Sequence, residues 1–325
     1  MSLEVMPGAE SLAPAVGTAV GVAGLGYALP AGVVSTDEVA ARVGVEPTWI
    51  TRRTGIEQRP RVTAEERLDT LAAAAGRAAL ADAGVDAAEV DLVLVATCTA
   101  DEVMPNAAAL VAGELGCAGA MAWDVGLACT GWLAAVITAA GLLETGRARC
   151  ALVIGAETLS RITDHDDKKT AGLFGDGAGA VVLKPGGKAA LRGTVLHVDA
   201  TDAQSLRVDV HERMVRMDGQ LVFQRAIAGM ESCCREVLAE AQITLDDVAL
   251  VVPHQANRRI TTALAERLNI DLARVADTID HHGNTAAASV PLALGEVGMP
   301  DSGYVLLTAF GSGFAAAAVL LEVTA

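Results

Sequence analysis

Aromatic residues are scarce in this chain: three tryptophans, two tyrosines and four phenylalanines among 325 residues. Positive charge is the second shortage, with 24 Lys and Arg against 40 Asp and Glu and a formal net charge of −16. A nucleic-acid binder needs a basic footprint and often stacking rings, so the composition speaks against that class. Long apolar runs are missing too. The most apolar helix-like stretch, Gly131 to Leu143, falls short of the roughly 20 residues a bilayer span requires, and no membrane partner is expected. The opening MSLEVMPGAESLAPAV carries Glu4 and Glu10 and has no basic segment followed by an apolar block, so no secretory signal is expected. Six cysteines (98, 117, 129, 150, 233 and 234) form no CxxC pair and sit mostly inside apolar runs. They read as reduced thiols of a cytoplasmic protein, not as a disulfide framework.

What is present is alanine, apolar strands and a repeat. The chain is 52% hydrophobic with a mean hydropathy of +0.41, and its length suits two domains or one large one. Arg77 to Leu94, RAALADAGVDAAEVDLVL, aligns without a gap on Arg235 to Val252, REVLAEAQITLDDVALVV, at an offset of 158 residues. Each copy reads as an amphipathic helix, an acidic turn and an apolar strand. A second match, at an offset near 155, sets Cys129-Thr130 and the later strand CALVIGA against Asn284-Thr285 and the later strand YVLLTAFG. It makes Cys129 and Asn284 equivalent positions. Near-continuous apolar strands alternating with alanine-rich helices indicate sheets covered on both faces. The expectation is an α/β protein of two similar halves, residues 17–185 and 186–325, related by an internal pseudo-two-fold. Residues 1–16 read as a loose tail, and Arg161 to Lys169 (RITDHDDKK) as a polar surface loop.

Three places could carry chemistry. Asp124-Val-Gly-Leu-Ala-Cys129-Thr-Gly-Trp132 places a cysteine between a strand and an apolar helix, where free N–H groups and the helix dipole favour thiolate. A buried structural cysteine is the competing reading. His254 ends the strand Val248 to Pro253, a position that delivers side chains to a crevice in α/β sheets, although a lone histidine there can be structural. His281-His282-Gly283-Asn284-Thr285 precedes another alanine-rich helix. Adjacent histidines diverge in an extended chain and chelate poorly, so no metal is expected. Phe174-Gly-Asp-Gly-Ala-Gly179 precedes a strand, the wrong context for a phosphate loop. Ala309-Phe-Gly-Ser-Gly-Phe314 ends a strand, where close backbone approach could aim amides at an oxyanion or simply make a tight turn.

These residues resemble the thiolase-fold condensing enzymes, specifically the β-ketoacyl-acyl-carrier-protein synthase III family. The resemblance runs from about Val20 to the end, through Trp49-Ile-Thr-Arg-Arg-Thr-Gly-Ile56, the Cys129 turn, Leu173 to Ala180, Met217 to Phe223, Pro253-His-Gln-Ala-Asn257, Gly283-Asn-Thr285 with Ala288-Ser289, and Phe310 to Phe314. It implies the layered α-β-α-β-α thiolase fold and a decarboxylative Claisen condensation that initiates fatty-acid or polyketide synthesis. In that reaction Cys129 takes an acyl group from acyl-CoA, a substrate and not a resident cofactor. His254 and Asn284 then stabilise the enolate formed from malonyl-acyl carrier protein. Backbone amides of Cys129, Gly311, Ser312 and Gly313 would hold the second oxyanion. Trp49 and Arg161 would grip the CoA adenine, with Phe223 along the pantetheine tunnel. Gln255, Ala256, Asn257, Arg258, Arg259, Arg225 and Arg267 would dock the acidic carrier protein, with Glu266 where the family favours a base. Met104, where phenylalanine is common, would cross a homodimer interface into the partner's acyl pocket and admit primers longer or more branched than acetyl.

Two other activities and one inactive role compete with this reading. An acyltransferase on the same fold could pass the acyl group to a non-malonyl acceptor, though Asn284 argues for decarboxylation. The order Cys…His…Asn also suits a thiol hydrolase of another fold, whose local cysteine signature is absent. A non-catalytic partner subunit would not need the complete Cys129, His254 and Asn284 set.

Overall fold

A computed structural model describes residues 19–324, so the expected tail at 1–16 lies outside the described residues. The first half runs β1 (Val20–Ala28), β2 (Gly32–Ser35), α1 (Thr36–Val43), α2 (Pro47–Thr54), β3 (Gln58–Arg61), α3 (Leu68–Ala83), β4 (Leu92–Ala96), α4 (Ala107–Leu115), β5 (Met121–Val125), α5 (Gly131–Glu144), β6 (Ala151–Thr158) and β7 (Asp176–Pro185). The second runs β8 (Ala189–Val198), β9 (Leu206–Val208), β10 (Val215–Met217), α6 (Gly219–Ala241), β11 (Val248–Pro253), α7 (Arg258–Leu268), α8 (Ile279–His282), α9 (Ser289–Val297), β12 (Gly303–Gly311) and β13 (Ala315–Val323).

Hydrogen bonding orders the main strands β11-β12-β13-β8-β1-β7-β6-β4-β5. Only two residue pairs, Gly21 with Ala190 and Val22 with Ala189, join β1 to β8, so the ladder is two sheets hinged at their first strands. Read outward from that hinge, β1-β7-β6-β4 matches β8-β13-β12-β11 strand for strand. The fifth strand differs. Beside β4 lies β5, whereas beside β11 only Val275 forms a bridge, to Val251.

Three apolar clusters make the layers. Helices α3 and α4 bury Leu71, Ala75, Ala79 and Val111 against the outer face of the first sheet. Helices α6 and α7 bury Met230, Val237, Leu264 and Leu268 against the outer face of the second. Between the sheets lie α5 and α9, with Leu133, Val136, Val290 and Leu294 packed on strands of both halves. Helix α5 is covered on the sides that meet the two sheets and leaves a narrow stripe through Ala134, Thr138 and Gly141 open. Trp132, fully buried, locks it to β6 by donating from Nε1 to the Val153 carbonyl at 3.2 Å. The result is an α-β-α-β-α stack. No helix of the described residues is long and apolar enough to cross a membrane.

Both central helices begin from a single 3₁₀ turn, and the two turns share one backbone. Ala128 and Ala286 have φ of +44° and +42°, in the left-handed region that alanine avoids. The residues before them are Leu127 (φ −139°, ψ 39°) and Thr285 (φ −101°, ψ 23°), and the helices start at Gly131 and Ser289. This match keeps the offset of 158 seen in the helix–strand repeat. The structural counterpart of Cys129 is therefore Ala287. The equivalence of Cys129 with Asn284 at an offset near 155 is overturned, because the second half carries α8 ahead of its turn.

Candidate active site

Each turn is received by a glycine of the opposite half. A Cβ on Gly311, at the end of β12, would stand 2.9 Å from the Cys129 nitrogen and 3.1 Å from that of Thr130. A Cβ on Gly155 of β6 would stand 2.3 Å from the Ala287 carbonyl oxygen. The Thr130 hydroxyl donates to the Ala315 carbonyl at 3.0 Å and fixes the nucleophile turn to β13. Space in front of the Cys129 N–H exists because residue 311 has no side chain.

A cavity of about 1100 Å³ opens onto this turn, and Cys129, His254 and Asn284 all line it. Asn284 is held from both sides. Its N–H donates to the Leu173 carbonyl at 2.8 Å, and its own carbonyl accepts from Gly175 at 3.0 Å. Its Oδ1 accepts from the Ala286 N–H at 2.9 Å, which leaves the Nδ2 donors for the cavity. His254 is 3% exposed, anchored by its N–H to the Thr308 carbonyl at 2.8 Å. Its Nδ1 has no hydrogen-bond partner among the described residues, and burial pulls the imidazole down to about 4. The ring is neutral at physiological pH and can both give and take a proton.

The thiol contradicts one expectation. Burial pushes Cys129 well above the usual thiol range, and the neighbouring Glu157 and Cys98 push it further. The local backbone N–H only partly offsets them. Desolvation thus outweighs the helix N-terminus and favours the thiol over the thiolate. Glu157, at the end of β6, is a cavity residue that motif reading missed. It is fully buried with no cation beside it among the described residues, and burial raises its carboxyl to about 7. Thr99 donates to it at 2.5 Å, Thr97 at 3.3 Å and the Cys98 N–H at 3.2 Å. A charged residue closing the apolar run CALVIGAE was the available signal. Cys98, which also lines the cavity, is pushed up to about 12 by burial and by Glu157.

The mouth of the cavity is basic although the protein is acidic. Arg53, Lys168, Lys169, Arg207, Arg213 and Arg259 line it, facing Asp101, Glu102 and Asp209. Lys168 and Lys169 come from the polar stretch read as a surface loop. The hairpin β9–β10 lays Leu206, Val208, Val215 and Met217 along one side, and Ser312 donates from its hydroxyl to the Leu206 carbonyl.

Other expected residues divide. Trp49 and Phe223 line the cavity; Arg161 does not. Its guanidinium is bound to Asp101 and to the Glu66 carbonyl, and the cation over the Trp49 ring is Arg53, at 4.2 Å. Gly311 and Ser312 stand at the nucleophile turn, whereas Gly313 (φ +75°) does not line the cavity. Met104 is 81% exposed and absent from its own chain's cavity wall. Gln255 cannot dock a partner. It is 1% exposed, with Nε2 on the Pro253 and Ala276 carbonyls and Oε1 accepting from the Thr278 N–H. Ala256 is half-buried, and Asn257 caps α7 by accepting from the Arg259 N–H at 2.9 Å. Arg225, Arg258 and Arg267 are paired with Asp199, Asp277 and Glu231. Arg259 forms no ion pair among the described residues and lies over the Phe223 ring, 5.5 Å from its centre.

Comparison with known proteins matches this architecture. Residues 123–200 fit the model of 3-oxoacyl-[acyl-carrier-protein (ACP)] synthase III, and residues 238–323 fit that of its C-terminal part. The β-ketoacyl-[acyl-carrier-protein] synthase III of Bordetella petrii is 46% identical over 316 residues, covering 92% of this chain and 96% of that one. The crystal structure of 3-oxoacyl-[acyl-carrier-protein] synthase III from Aquifex aeolicus superposes with a TM-score of 0.90 at 38% identity, covering 93% and 99% of the two chains. A priming β-ketosynthase of the R1128 polyketide pathway superposes with a TM-score of 0.91 at 34% identity over 98% of this chain and 99% of its own. The chain has the thiolase-type fold and belongs to the β-ketoacyl-[acyl-carrier-protein] synthase III family of condensing enzymes.

Proposed function

We infer that this enzyme joins an acyl-CoA primer to malonyl-acyl carrier protein through an acyl-Cys129 intermediate, giving a β-ketoacyl product that starts a fatty-acid or polyketide chain. The observation that carries the reading is one cavity shared by a thiol, a neutral imidazole and an amide, reached through a basic mouth. The basic residues suit the phosphates of CoA, and Trp49 with Arg53 offers its adenine a flat cationic edge.

Because the resting group is a thiol, attack on the thioester carbon must be coupled to loss of its proton, and the neutral His254 imidazole is the base in the cavity. The C–S bond forms, the CoA thiolate leaves and takes a proton, and the carbonyl oxygen is held by the amide N–H groups at Cys129 and Ser312. In the second step, with His254 neutral again, its N–H and Asn284 Nδ2 donate to the malonyl thioester oxygen. The C–CO₂ bond breaks, the electron pair becomes an enolate, and its carbon displaces Cys129. No step calls for a resident cofactor.

The duplicated unit divides at 185/186, supported by the matched strand orders on either side. The protein works as a cytoplasmic homodimer. Strand β5 ends the sheet with no strand on its outer side among the described residues, and Val103 and Met104, in the loop before α4, are 97% and 81% exposed. Met104 of one protomer would then enter the partner's acyl pocket and admit primers longer or more branched than acetyl.

The test is intact-protein mass spectrometry with acyl-CoA, followed by malonyl-acyl carrier protein. The acyl adduct should form on Cys129 and clear with CO₂ release. His254→Ala and Asn284→Ala should each slow decarboxylation by roughly 10²–10³-fold, with the adduct still detectable. Normal decarboxylation in both variants refutes the assignment, and transfer to a non-malonyl acceptor alone would favour the acyltransferase.

A further inference from the structure

Helix α8 breaks the expectation that His281 and His282 diverge. In a helical turn their ring centres lie 4.2 Å apart, and both reach one carboxylate on α9. His281 Nε2 is 2.8 Å from Glu296 Oε1, His282 Nε2 is 3.1 Å from Glu296 Oε2, and the three ligand atoms lie within 4.8 Å of one another. His281 presents its other nitrogen to Asp280 Oδ1 at 2.6 Å, the carboxylate–histidine arrangement that orients imidazoles toward metal ions. His282 is 2% exposed and its Nδ1 has no partner among the described residues, whereas its Nε2 faces Glu296. Side-chain exposures of 37% for His281 and 29% for Glu296 leave a path for an ion and for water to complete its shell.

We propose that His281, His282 and Glu296 form a divalent transition-metal site, with zinc the fitting ion, that clips the segment carrying Asn284. Two imidazoles and a carboxylate are a borderline ligand set that suits zinc over magnesium or calcium, and imidazole–carboxylate distances of 2.8 and 3.1 Å are of the order that tetrahedral bonds of about 2 Å require. The position explains why a clip would be useful. In the first half the turn follows β5 with three residues between Val125 and Cys129, so the sheet holds it. In the second half the corresponding strand is one bridge at Val275, and eight residues separate it from Asn284. Bonds from His281 and His282 on one side and Glu296 on the other would close the segment 283–295 at both ends. The site stands on its own geometry; only its consequence for Asn284 rests on the function proposed above.

The experiment uses the full chain stripped with a chelator, then titrated calorimetrically with Zn²⁺ alone and followed by absorbance with Co²⁺ alone. Wild type should bind one ion per chain, melt higher with Zn²⁺, and give a Co²⁺ spectrum without a thiolate charge-transfer band. His281→Ala and Glu296→Gln change partly exposed side chains, and circular dichroism checks their folding. Each should weaken binding by roughly 10–100-fold and abolish the melting shift. A thiolate band, no saturable binding, or equal affinity in wild type and both folded variants overturns the site. A separate readout addresses the consequence: Zn²⁺ should raise the decarboxylation rate of wild type without changing Cys129 acylation. If binding holds and that rate does not move, the clip stands and the coupling to Asn284 falls.

Discussion

The two halves build the same turn and put it to different uses. Ala128 and Ala286 are strained alike, and each turn packs against a glycine of the other half. Yet Cys129 faces an inert counterpart, Ala287. At the shared offset of 158, His254 corresponds to Ala96 and Asn284 to Gly126. The three groups of the site are therefore not symmetry mates. Duplication supplied a pair of rigid strand-to-helix corners, and chemistry was placed at unrelated positions around one of them. The second half has a single bridge where the first has β5, and it places α8 and Asn284 ahead of its turn.

The sharpest way to break the comparison is to move the thiol. In Cys129→Ala/Ala287→Cys the sulfur sits on the equivalent backbone, but Ala287 is 1% exposed behind Gly155 and does not line the cavity. Acylation by acyl-CoA should fall by roughly 10³-fold or more, as for other deleted nucleophiles. An acyl adduct at residue 287 in intact-mass spectra would show the two corners to be functionally interchangeable.

The glycines should separate rate from stability. Gly155→Ala drives a methyl against the Ala287 carbonyl and should cost about 1–3 kcal/mol, read as a lower denaturation midpoint. Gly311→Ala meets looser contacts, but its methyl occupies the space before the Cys129 N–H. It should slow acylation by roughly 10²-fold with the smaller stability loss. Equal effects on both readouts would mean that the Gly311 contact is packing only.

Strand register pairs Val153 with Leu94 and Leu307 with Val252, which relates Glu157 to Gly311. One half buries a carboxyl where the other has no side chain. A carboxyl whose folded pKa is raised from 4.5 to about 7 binds its proton more tightly in the native state. Stability is then full below pH 4.5 and falls as pH rises toward 7. Glu157→Gln removes that slope, so the variant should gain up to about 3 kcal/mol on wild type between pH 4.5 and 7. Parallel stability–pH curves would show that the carboxyl ionises freely.

Much of this was readable before any coordinates. The helix–strand repeat gave the right offset because amphipathic helices and apolar strands print their periodicity directly. Cys129, His254 and Asn284 stood at strand and helix ends. The failures have one cause. Sequence order does not say which polar groups a packed interior desolvates. So the Cys129 thiol was expected low and stands high, Gln255 was expected on the surface and is buried, and Glu157 was passed over. Arg161 depends on the course of a loop, which no local pattern encodes.

The smallest expected effect concerns the helix that follows His254. Arg258 and Arg259 are neighbours on α7 and were expected to act together, but only one is available. Arg258 is held by Asp277 at 2.8 Å with Asp280 at 3.9 Å, so its charge is already compensated. Arg259 is exposed at the cavity mouth, without an acid partner among the described residues. An acidic carrier protein approaching a chain of net charge −16 depends on such local cations for its encounter rate. Arg259→Glu should weaken carrier-protein binding several-fold at low salt, through the association rate, and added salt should erase the difference. Arg258→Glu should do less at the encounter, and its penalty should appear in stability, because it leaves three carboxylates together on the surface. Surface plasmon resonance at two ionic strengths distinguishes them. If the two reversals act alike, the carrier protein reads the summed field of α7 and not the one uncompensated guanidinium.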